Sequence, residues 1–392
     1  MWITRKYEET LKALFAQFPA VAITGARQAG KTALVRHLFP DINYVSMDFP
    51  ALAAQAEHNP AGFFREHGFP LIIDEVQYAP SLFRYLKTMI DDDRRPGRLL
   101  LTGSQVFPLM QGVSESLAGR CGVLTIMNLA AAELRSFQKG SLFSETDFLF
   151  KGGYPELHAR PDLETHFWYG AYLSTYLERD VRNILNVGSL RDFDRFLRAV
   201  AARTGQILSY SDLARDVGVA PNTAKKWISV LQASGQVFLL EPYFRNIGKR
   251  LVKSPKLYLC DTGMAAFLMG FESWPSVERH PAVGALWETH VVMEVVKAFA
   301  ARGKSIPLWF WRTARGEEVD LVIERDGRFT AIECKYSEVV DESGLKGLNA
   351  FAEDCGRENL RVGYIASRTS HAYPLAGEII AVPGSEIADY LE

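Results

Sequence analysis

A chain of 392 residues in which 48% are hydrophobic and 23% are charged has enough apolar material for two or three globular domains. Its formal net charge is −2. The sequence has no apolar run of 18 residues, which argues against a membrane span, and no apolar segment directly after Met1, which argues against a secretory signal. The four cysteines are widely spaced without a C-x-x-C pair, a pattern that favours neither a zinc site nor a disulfide framework. We therefore expect a cytoplasmic protein with no membrane partner.

A phosphate loop is the strongest motif near the start of the chain. The run Gly25-Ala26-Arg27-Gln28-Ala29-Gly30-Lys31-Thr32 fits G-x-x-x-x-G-K-[ST], between a predicted strand and a predicted helix. Gly25 and Gly30 would let the loop amides turn inward to bind the phosphates of ATP. Lys31 would meet the β- and γ-phosphates, and the Thr32 hydroxyl would hold Mg²⁺. An ordinary glycine-rich turn is the alternative, and it leaves Lys31 unexplained.

The apolar segment 70–75 predicts a strand that ends in two acids, Asp74 and Glu75. Asp74 would hold Mg²⁺ through water, and Glu75 would polarise the water that attacks the γ-phosphate. Paired acids after an apolar strand are common. Their place behind a phosphate loop is what favours this interpretation.

Further polar groups follow the next predicted strand, at 98–105. Thr102, Ser104 or Gln105 could sense the γ-phosphate, and we assign Ser104 to the nucleotide, although any of them could instead cap a turn. Arg120 follows in a loop and could be an arginine finger or a γ-phosphate sensor, or form a plain surface salt bridge. If Arg120 acts in trans, the protein must form a homo-oligomer.

Together, the segments 25–32, 72–77, 101–104 and 116–120 resemble a group of bacterial and archaeal AAA-type ATPases. In that group a G-x-R-Q-x-G-K-T loop is followed by I-I-D-E-V-Q, L-T-G-S and S-L-A-G-R. The resemblance implies Mg²⁺-dependent ATP hydrolysis and a C-terminal domain known as DUF4143, which later stretches of the chain also match. It also marks the cluster 178–180, which could close over the nucleotide, although an ordinary pair on a helix surface explains that cluster equally well.

The middle of the chain predicts a winged helix-turn-helix. Residues 206–259 show a helix, a turn, a second helix and two strands that can pair as a wing. The second helix would expose Asn222, Thr223, Lys225 and Lys226 to a nucleic acid.

Charge supports that interpretation, because residues 191–256 contain 12 Lys or Arg and 5 Asp or Glu in a chain that is slightly acidic overall. A basic segment of this kind favours contact with phosphates, and we favour DNA over RNA as the partner. Winged helices also serve as spacers between proteins, so that alternative stays open.

The last third carries a nuclease-like pattern of acids. Glu288 lies on the apolar face of a predicted helix at 283–300, where a metal, a buried arginine or a cap would have to neutralise it. Asp320 lies in a strand, and Glu333 and Lys335 share one face of the strand that returns. An acid on a helix, an acid on a strand and an E-x-K sequence on its hairpin partner form the PD-(D/E)xK pattern.

In that pattern Asp320 and Glu333 would bind one or two Mg²⁺ ions, with Glu288 as an outer ligand, and Lys335 would activate the attacking water. Glu318, just before the strand proper, is expected to face solvent. E-x-K alone is no signal, no proline precedes Asp320, and folds of this kind also persist as binding modules.

The predicted fold class is α/β throughout. We expect an AAA-like P-loop NTPase domain at 1–140, a helical connector or lid at 141–190, a winged helix-turn-helix at 191–260, and a restriction-endonuclease-like domain at 261–392. The predicted function is ATP hydrolysis coupled to DNA binding, with metal-dependent DNA cleavage as a further activity. The alternative is a regulatory or signalling ATPase whose nuclease-like domain is catalytically inactive and docks partners.

Overall fold

The computed structural model describes residues 2–104, 106–138, 143–176, 190–244, 254–304, 307–340 and 344–391. The predictions for Gln105 and for Glu178, Arg179 and Asp180 fall outside these ranges.

The described helices are α1 Glu8–Gln17, α2 Lys31–Leu38, α3 Pro50–His58, α4 Pro60–His67, α5 Ser81–Asp92, α6 Val106–Ser116, α7 Ala131–Phe137, α8 Glu145–Lys151, α9 Pro155–Ala159, α10 Thr165–Tyr176, α11 Leu190–Ala201, α12 Tyr210–Val217, α13 Pro221–Ala233, α14 Thr262–Leu268, α15 Trp274–Glu278, α16 Val283–Ala301 and α17 Leu345–Cys355. Short 3-10 helices span Val76–Tyr78, Arg357–Asn359 and Gly384–Tyr390. The strands are β1 Ala20–Thr24, β2 Asn43–Ser46, β3 Leu71–Asp74, β4 Leu99–Thr102, β5 Cys121–Thr125, β6 Gln206–Ile207, β7 Val237–Leu240, β8 Lys256–Leu259, β9 Leu308–Arg312, β10 Glu318–Arg325, β11 Arg328–Cys334, β12 Leu360–Ser367, β13 Tyr373–Ala376 and β14 Ile379–Pro383.

The first sheet is parallel, with the strand order β2-β3-β4-β1-β5. The three inner strands, β1, β3 and β4, are buried along their whole length because both faces of the sheet are covered there. Alternate residues of β1 enter two different cores, Ala20 and Ala22 on one side and Val21 and Ile23 on the other. Strand β4 lies between β1 and β3. The segments that follow these three strands, the phosphate loop among them, therefore meet at one edge of the sheet.

The predicted helices and hairpin of the middle segment are present. Helix α12 ends at Val217, the next residue, Gly218, has a left-handed conformation, and α13 begins with Pro221. Strands β7 and β8 pair antiparallel, with Val237 opposite Leu259. The short strand β6, which pairs with the other edge of β8, was not predicted.

The last third contains a mixed sheet with the strand order β13-β14-β12-β11-β10-β9. Helix α16 packs on one face through Trp287 and Val295, and α17 packs on the other through Leu348 and Phe351. Strand β10 begins at Glu318, so that residue belongs to the strand rather than preceding it. Among the described helices, none is both long and apolar enough to cross a membrane.

Candidate nucleotide site and a buried carboxylate cluster

The phosphate loop has the backbone conformation that its glycines were expected to allow. Gly25 and Gly30 have φ angles of 135° and 91°, and Gln28 also has a positive φ, of 59°. A Cβ atom at Gly25 would overlap the carbonyl oxygen of Ile126, which follows the neighbouring strand β5. Only glycine therefore fits at position 25.

Lys31 and Thr32 are the first residues of α2, directly behind the loop. The Lys31 side chain is buried, and its Nζ donates hydrogen bonds to the carbonyl oxygens of Gly25 at 3.0 Å and Ala26 at 2.8 Å. The Thr32 hydroxyl donates to a carboxylate oxygen of Asp74 at 3.0 Å. The structure thus brings together the lysine, hydroxyl and carboxylate that the sequence analysis assigned to one site.

The Asp74 carboxylate also accepts hydrogen bonds from two further hydroxyl groups, which the sequence did not predict. Tyr44 donates from β2 at 2.6 Å, and Thr102 donates from the end of β4. Burial, reinforced by the negative charge of Asp74, raises the pKa of Tyr44 well above its ordinary value, so its hydroxyl keeps its proton. Thr102 therefore contacts a candidate Mg²⁺ ligand rather than pointing at a phosphate.

Glu75 lies one residue beyond β3, with a left-handed φ of 53°. Its Oε2 accepts hydrogen bonds from the Ser104 backbone N–H at 3.1 Å, from the Ser104 hydroxyl at 2.8 Å and from Gln77 Nε2. The two Ser104 donors reach Glu75 because β4, which Ser104 follows, lies beside β3, whereas Gln77 is a neighbour in sequence. Ser104 thus fixes the carboxylate, a contact that only the strand order reveals.

A cleft of about 430 Å³ opens in front of these groups. One wall is the phosphate loop and α2, with Glu75 and Ser104, and the other wall is formed by Pro155, Glu156, Tyr172 and Thr175 of α9 and α10. The second wall comes from the segment predicted as a connector or lid. A glycine cradle, a buried lysine and a hydroxyl–carboxylate pair are the groups that a nucleoside triphosphate with Mg²⁺ requires, so these residues fit both.

A buried arginine that no motif marked also holds the phosphate loop. The Arg5 guanidinium donates to the carbonyl oxygen of Ala29 at 2.9 Å and to that of Met127 at 2.6 Å. It also forms an ion pair with Glu133, 3.2 Å away. Both side chains are almost fully buried, where an unpaired charge would be costly. A lone arginine before a helix carries no pattern from which this contact could be predicted.

Arg120 lies away from the cleft within this chain, which corrects its assignment as a cis-acting finger or sensor. It immediately precedes β5, and parallel pairing of β5 with β1 puts that position at the opposite edge of the sheet from the phosphate loop. Its guanidinium donates to Asp91 at 2.7 and 2.8 Å, and this contact lowers the pKa of that carboxyl to about 2. Within this chain Arg120 thus forms a surface salt bridge, which was one of the predicted alternatives.

The acids of the last third form a cluster around a lysine. We call the three side chains Glu288, Glu318 and Asp320 the carboxylate cluster. Lys256 Nζ, from β8, lies 2.8 Å from Glu288 Oε1 and 3.1 Å from Asp320 Oδ1, and it also pairs with Glu318. The expectation that Glu318 faces solvent is therefore wrong, because strand period places it on the same face as Asp320.

Glu333 and Lys335 pair with each other beside this cluster, Nζ to Oε1, at 2.8 Å. Burial, together with the charge of Asp320, raises the pKa of Glu288 to about 7 and that of Glu333 to about 8. Burial alone would lower the pKa of Lys256, but the negative groups around it raise that pKa well above its ordinary value. Lys256 is therefore a stable cation at the centre of the cluster.

The predicted metal ligands Glu288, Asp320 and Glu333 do not fit a metal ion in this arrangement. The ammonium of Lys256 lies where the carboxylate oxygens of Glu288 and Asp320 converge, and Lys335 engages Glu333. Within the described residues no group of three acidic, histidine or cysteine side chains is arranged to hold a metal. Sequence could not reveal this, because Lys256 is far from the acids along the chain.

The candidate nucleic-acid residues lie on the first turns of α13. Asn222, Lys225 and Lys226 are exposed and Thr223 is partly exposed, whereas Trp227 and Ile228 turn into the core. The helix thus presents the four side chains to solvent, as its periodicity predicted.

The parallel sheet, the phosphate loop after β1 and the acids after β3 define the first part of the chain as a P-loop NTPase. The family description "AAA domain" matches residues 17–135, and "Domain of unknown function (DUF4143)" matches residues 283–387. Uncharacterized proteins of Mycobacterium tuberculosis and Mycobacterium bovis are each 32% identical to this chain over 382 residues, which cover 94% of this chain and 81% of each relative. The chain belongs to the family of AAA-type ATPases with a C-terminal DUF4143 domain.

The middle of the chain matches a separate description, "Domain of unknown function (DUF8612)", at residues 144–274. The DUF4143 match is therefore confined to the last third, a narrower range than the resemblance implied.

Two solved structures are similar at lower levels. A Walker-type ATPase of Pyrococcus abyssi has 16% identity and a TM-score of 0.46, and the similarity covers 68% of this chain and 96% of that one. The RuvB Holliday junction branch migration motor of Thermotoga maritima has 17% identity and a TM-score of 0.32, with coverage of 60% and 89%. Both TM-scores are below 0.5, so neither likeness bears on function.

Proposed function

We propose that the protein hydrolyses ATP in a Mg²⁺-dependent reaction and that its nucleotide state controls DNA binding by helix α13. The DNA contacts would be made by Asn222, Thr223, Lys225 and Lys226. The domain boundaries proposed from the sequence, 1–140, 141–190, 191–260 and 261–392, are part of this proposal.

One observation carries the proposal: the chain directly after α13 lies beside the phosphate loop and bonds to the wall of the cleft. Gly235 follows α13, and a Cβ atom at Gly235 would lie only 3.5 Å from the backbone nitrogen of Ala26. The next residue, Gln236, donates through Nε2 to the hydroxyl of Tyr172 at 3.2 Å, and Tyr172 lines the nucleotide cleft. A change in the loop or in the cleft wall when nucleotide binds would therefore reach the end of α13 directly.

Bound ATP with Mg²⁺ would supply the phosphoryl group and the charge that the site stabilises. Lys31 would neutralise phosphate charge, and Thr32 and Asp74 would hold the metal. Glu75 would orient the attacking water and accept its proton, while Ser104 keeps that carboxylate in one position. Arg120 could contribute only from a second copy of the chain, so the homo-oligomer stays part of the proposal.

Several basic residues of the middle segment are paired with acids, so fewer of them can contact DNA than the sequence suggests. The exposed lysines of α13 are therefore the main candidates. Lys256 is buried in the carboxylate cluster, and Arg203 and Arg215 pair with Asp216 and Asp212. Exposed Lys225 and Lys226 stand at the start of a helix that follows a tight turn from α12, with the β7–β8 hairpin behind it. This order of elements supports a winged helix with α13 as the recognition helix.

We expect Lys225→Ala combined with Lys226→Ala to weaken binding of duplex DNA by about tenfold or more, because each lysine that contacts a phosphate releases a counterion. The dependence of log K on log salt should become shallower by about 2. Fluorescence anisotropy with labelled duplex DNA at several salt concentrations measures both. The control is Lys12→Ala combined with Lys87→Ala, exposed lysines of α1 and α5. Unchanged affinity in the α13 variant would remove this helix from the proposal.

Gln236→Ala tests the coupling itself. In the wild-type chain we expect DNA affinity to differ by about fivefold or more between the ATP-bound and ADP-bound states, a typical coupling energy. The variant should bind ATP normally and show a smaller difference in DNA affinity between the two states, because the hydrogen bond to Tyr172 is lost while Gly235 stays beside the phosphate loop. Gln232→Ala, at an exposed position of α13, is the matched control. A nucleotide effect of unchanged size in Gln236→Ala would contradict the route through Tyr172.

Metal-dependent DNA cleavage by the last third is the second candidate. The positions of Glu288 on α16, Asp320 on β10 and Glu333 on β11 support a PD-(D/E)xK-like fold. The placement of Lys256 among the acids favours the alternative, an inactive nuclease-like domain that serves as a docking module.

A further inference from the structure

We propose that the Lys256 ammonium stands in for a divalent cation in the carboxylate cluster. The wild-type chain then holds no metal there, and removal of this single charge converts the cluster into a divalent cation site. The inference does not depend on ATP hydrolysis or on DNA binding.

The first step is the geometry around Lys256, whose side chain is 3% exposed. Its Nζ pairs with three carboxylates, from Glu288 of α16 and from Glu318 and Asp320 of β10. An ammonium group has three N–H donors and no acceptor, and Nζ donates hydrogen bonds to Glu288 and Asp320. All three side chains therefore contact the same ammonium group.

The second step is the charge that would remain without Lys256. Arg312 lies 3.2 Å from Glu318, and Lys335 pairs with Glu333 outside the cluster. Glu288 and Asp320 would face each other in a buried pocket without the cation that now pairs with both. Buried carboxylates need a counter-charge, and oxygen ligands of this kind suit Mg²⁺ and Mn²⁺.

The third step is where the lysine comes from. Lys256 is the first residue of β8 in the three-stranded sheet, whereas the acids belong to α16 and to the six-stranded sheet. Tyr258, also on β8, donates its hydroxyl to Glu288 at 2.6 Å, so one strand supplies both contacts. The Lys256 ammonium thus comes from the neighbouring three-stranded sheet, and it links that sheet to α16 and β10 as a structural metal would.

The test is a titration of the full-length, nucleotide-free protein with Mn²⁺ alone, followed by electron paramagnetic resonance of the free ion. We compare the wild type, Lys256→Met, and Lys256→Met combined with Asp320→Asn. Lys256→Met is expected to bind one more Mn²⁺ per chain than the wild type, and Asp320→Asn should abolish that extra ion. The wild-type titration gives the Mn²⁺ that binds at Asp74, a site that is unchanged in all three proteins.

The matched control is Lys297→Met, which removes another buried lysine, paired with the single carboxylate Glu294. It should gain no Mn²⁺. Lys256→Arg keeps the charge and should gain none either.

Two results would overturn the proposal: an extra Mn²⁺ ion in Lys256→Met that remains after Asp320→Asn is added, or a folded Lys256→Met chain that gains no Mn²⁺. If Lys256→Met is unfolded without metal, Mn²⁺ should restore its circular dichroism spectrum, and failure to do so also contradicts the proposal. Loss of ATP or DNA binding would leave these outcomes unaffected, so the two proposals fail separately.

Discussion

Replacement of Lys31 by alanine is expected to lower ATP affinity by about 100-fold or more, because each charge-assisted hydrogen bond to a phosphate contributes about 1.5–3 kcal/mol. Lys31 is buried behind the loop, with its ammonium within 3.0 Å of two loop carbonyl oxygens. No other described lysine lines the cleft. Isothermal titration with ATP and Mg²⁺ measures the loss.

Lys87→Ala, an exposed lysine of α5 in the same sheet domain, is the control and should bind ATP as the wild type does. Circular dichroism and thermal unfolding separate lost binding from lost structure, since Lys31 also bridges the loop. If folded Lys31→Ala protein took up ATP with wild-type affinity, the nucleotide site would have to be reassigned.

Glu75→Gln is expected to keep ATP affinity but to slow hydrolysis by about 10²- to 10⁴-fold, the usual contribution of a general base. The amide keeps an oxygen that can accept the hydrogen bonds from Ser104, so the side chain should stay in position. What it loses is the ability to take a proton from water. Single-turnover hydrolysis of radiolabelled ATP, read beside equilibrium ATP binding, distinguishes a lost chemical step from lost affinity.

Glu66→Gln, an exposed acid of α4, provides the matched control. Equal hydrolysis by Glu75→Gln and the wild type would refute the assigned base, whatever the affinity. A variant that loses both affinity and hydrolysis would point to a structural role for Glu75, whose backbone φ of 53° already sets it apart.

The local pattern predicted the phosphate loop and its neighbours well. A loop with fixed offsets, an apolar strand before it and a helix after it are short-range features, and the structure has β1 and α2 at those positions. The same holds for Asp74 at the end of β3 and for α12, α13 and the β7–β8 hairpin. In each case the turn residues and the apolar period are set by neighbours in sequence.

Arg120 and Lys256 show where local pattern stops. An arginine in a loop of a P-loop domain is compatible with a nucleotide contact, but strand direction decides which edge of the sheet it occupies. Arg120 precedes β5 and so lies at the edge opposite the phosphate loop. From the sequence, Lys256 is one of the 12 basic residues that favoured phosphate contact by the segment 191–256. The packing of one sheet against another makes it the counter-ion of three acids.

The sequence by itself thus determined the class of the first domain, the position of its phosphate loop and the order of helices and strands in the middle segment. Only the tertiary structure decided that Ser104 holds Glu75, that α9 and α10 form the second wall of the cleft, that Gly235 lies beside the phosphate loop, and that a lysine lies among the three carboxylates. The physical reason is that motif residues are held by local backbone geometry, whereas these contacts join segments far apart in the chain. Their partners are chosen by strand order and by the need of buried charges for a counter-charge.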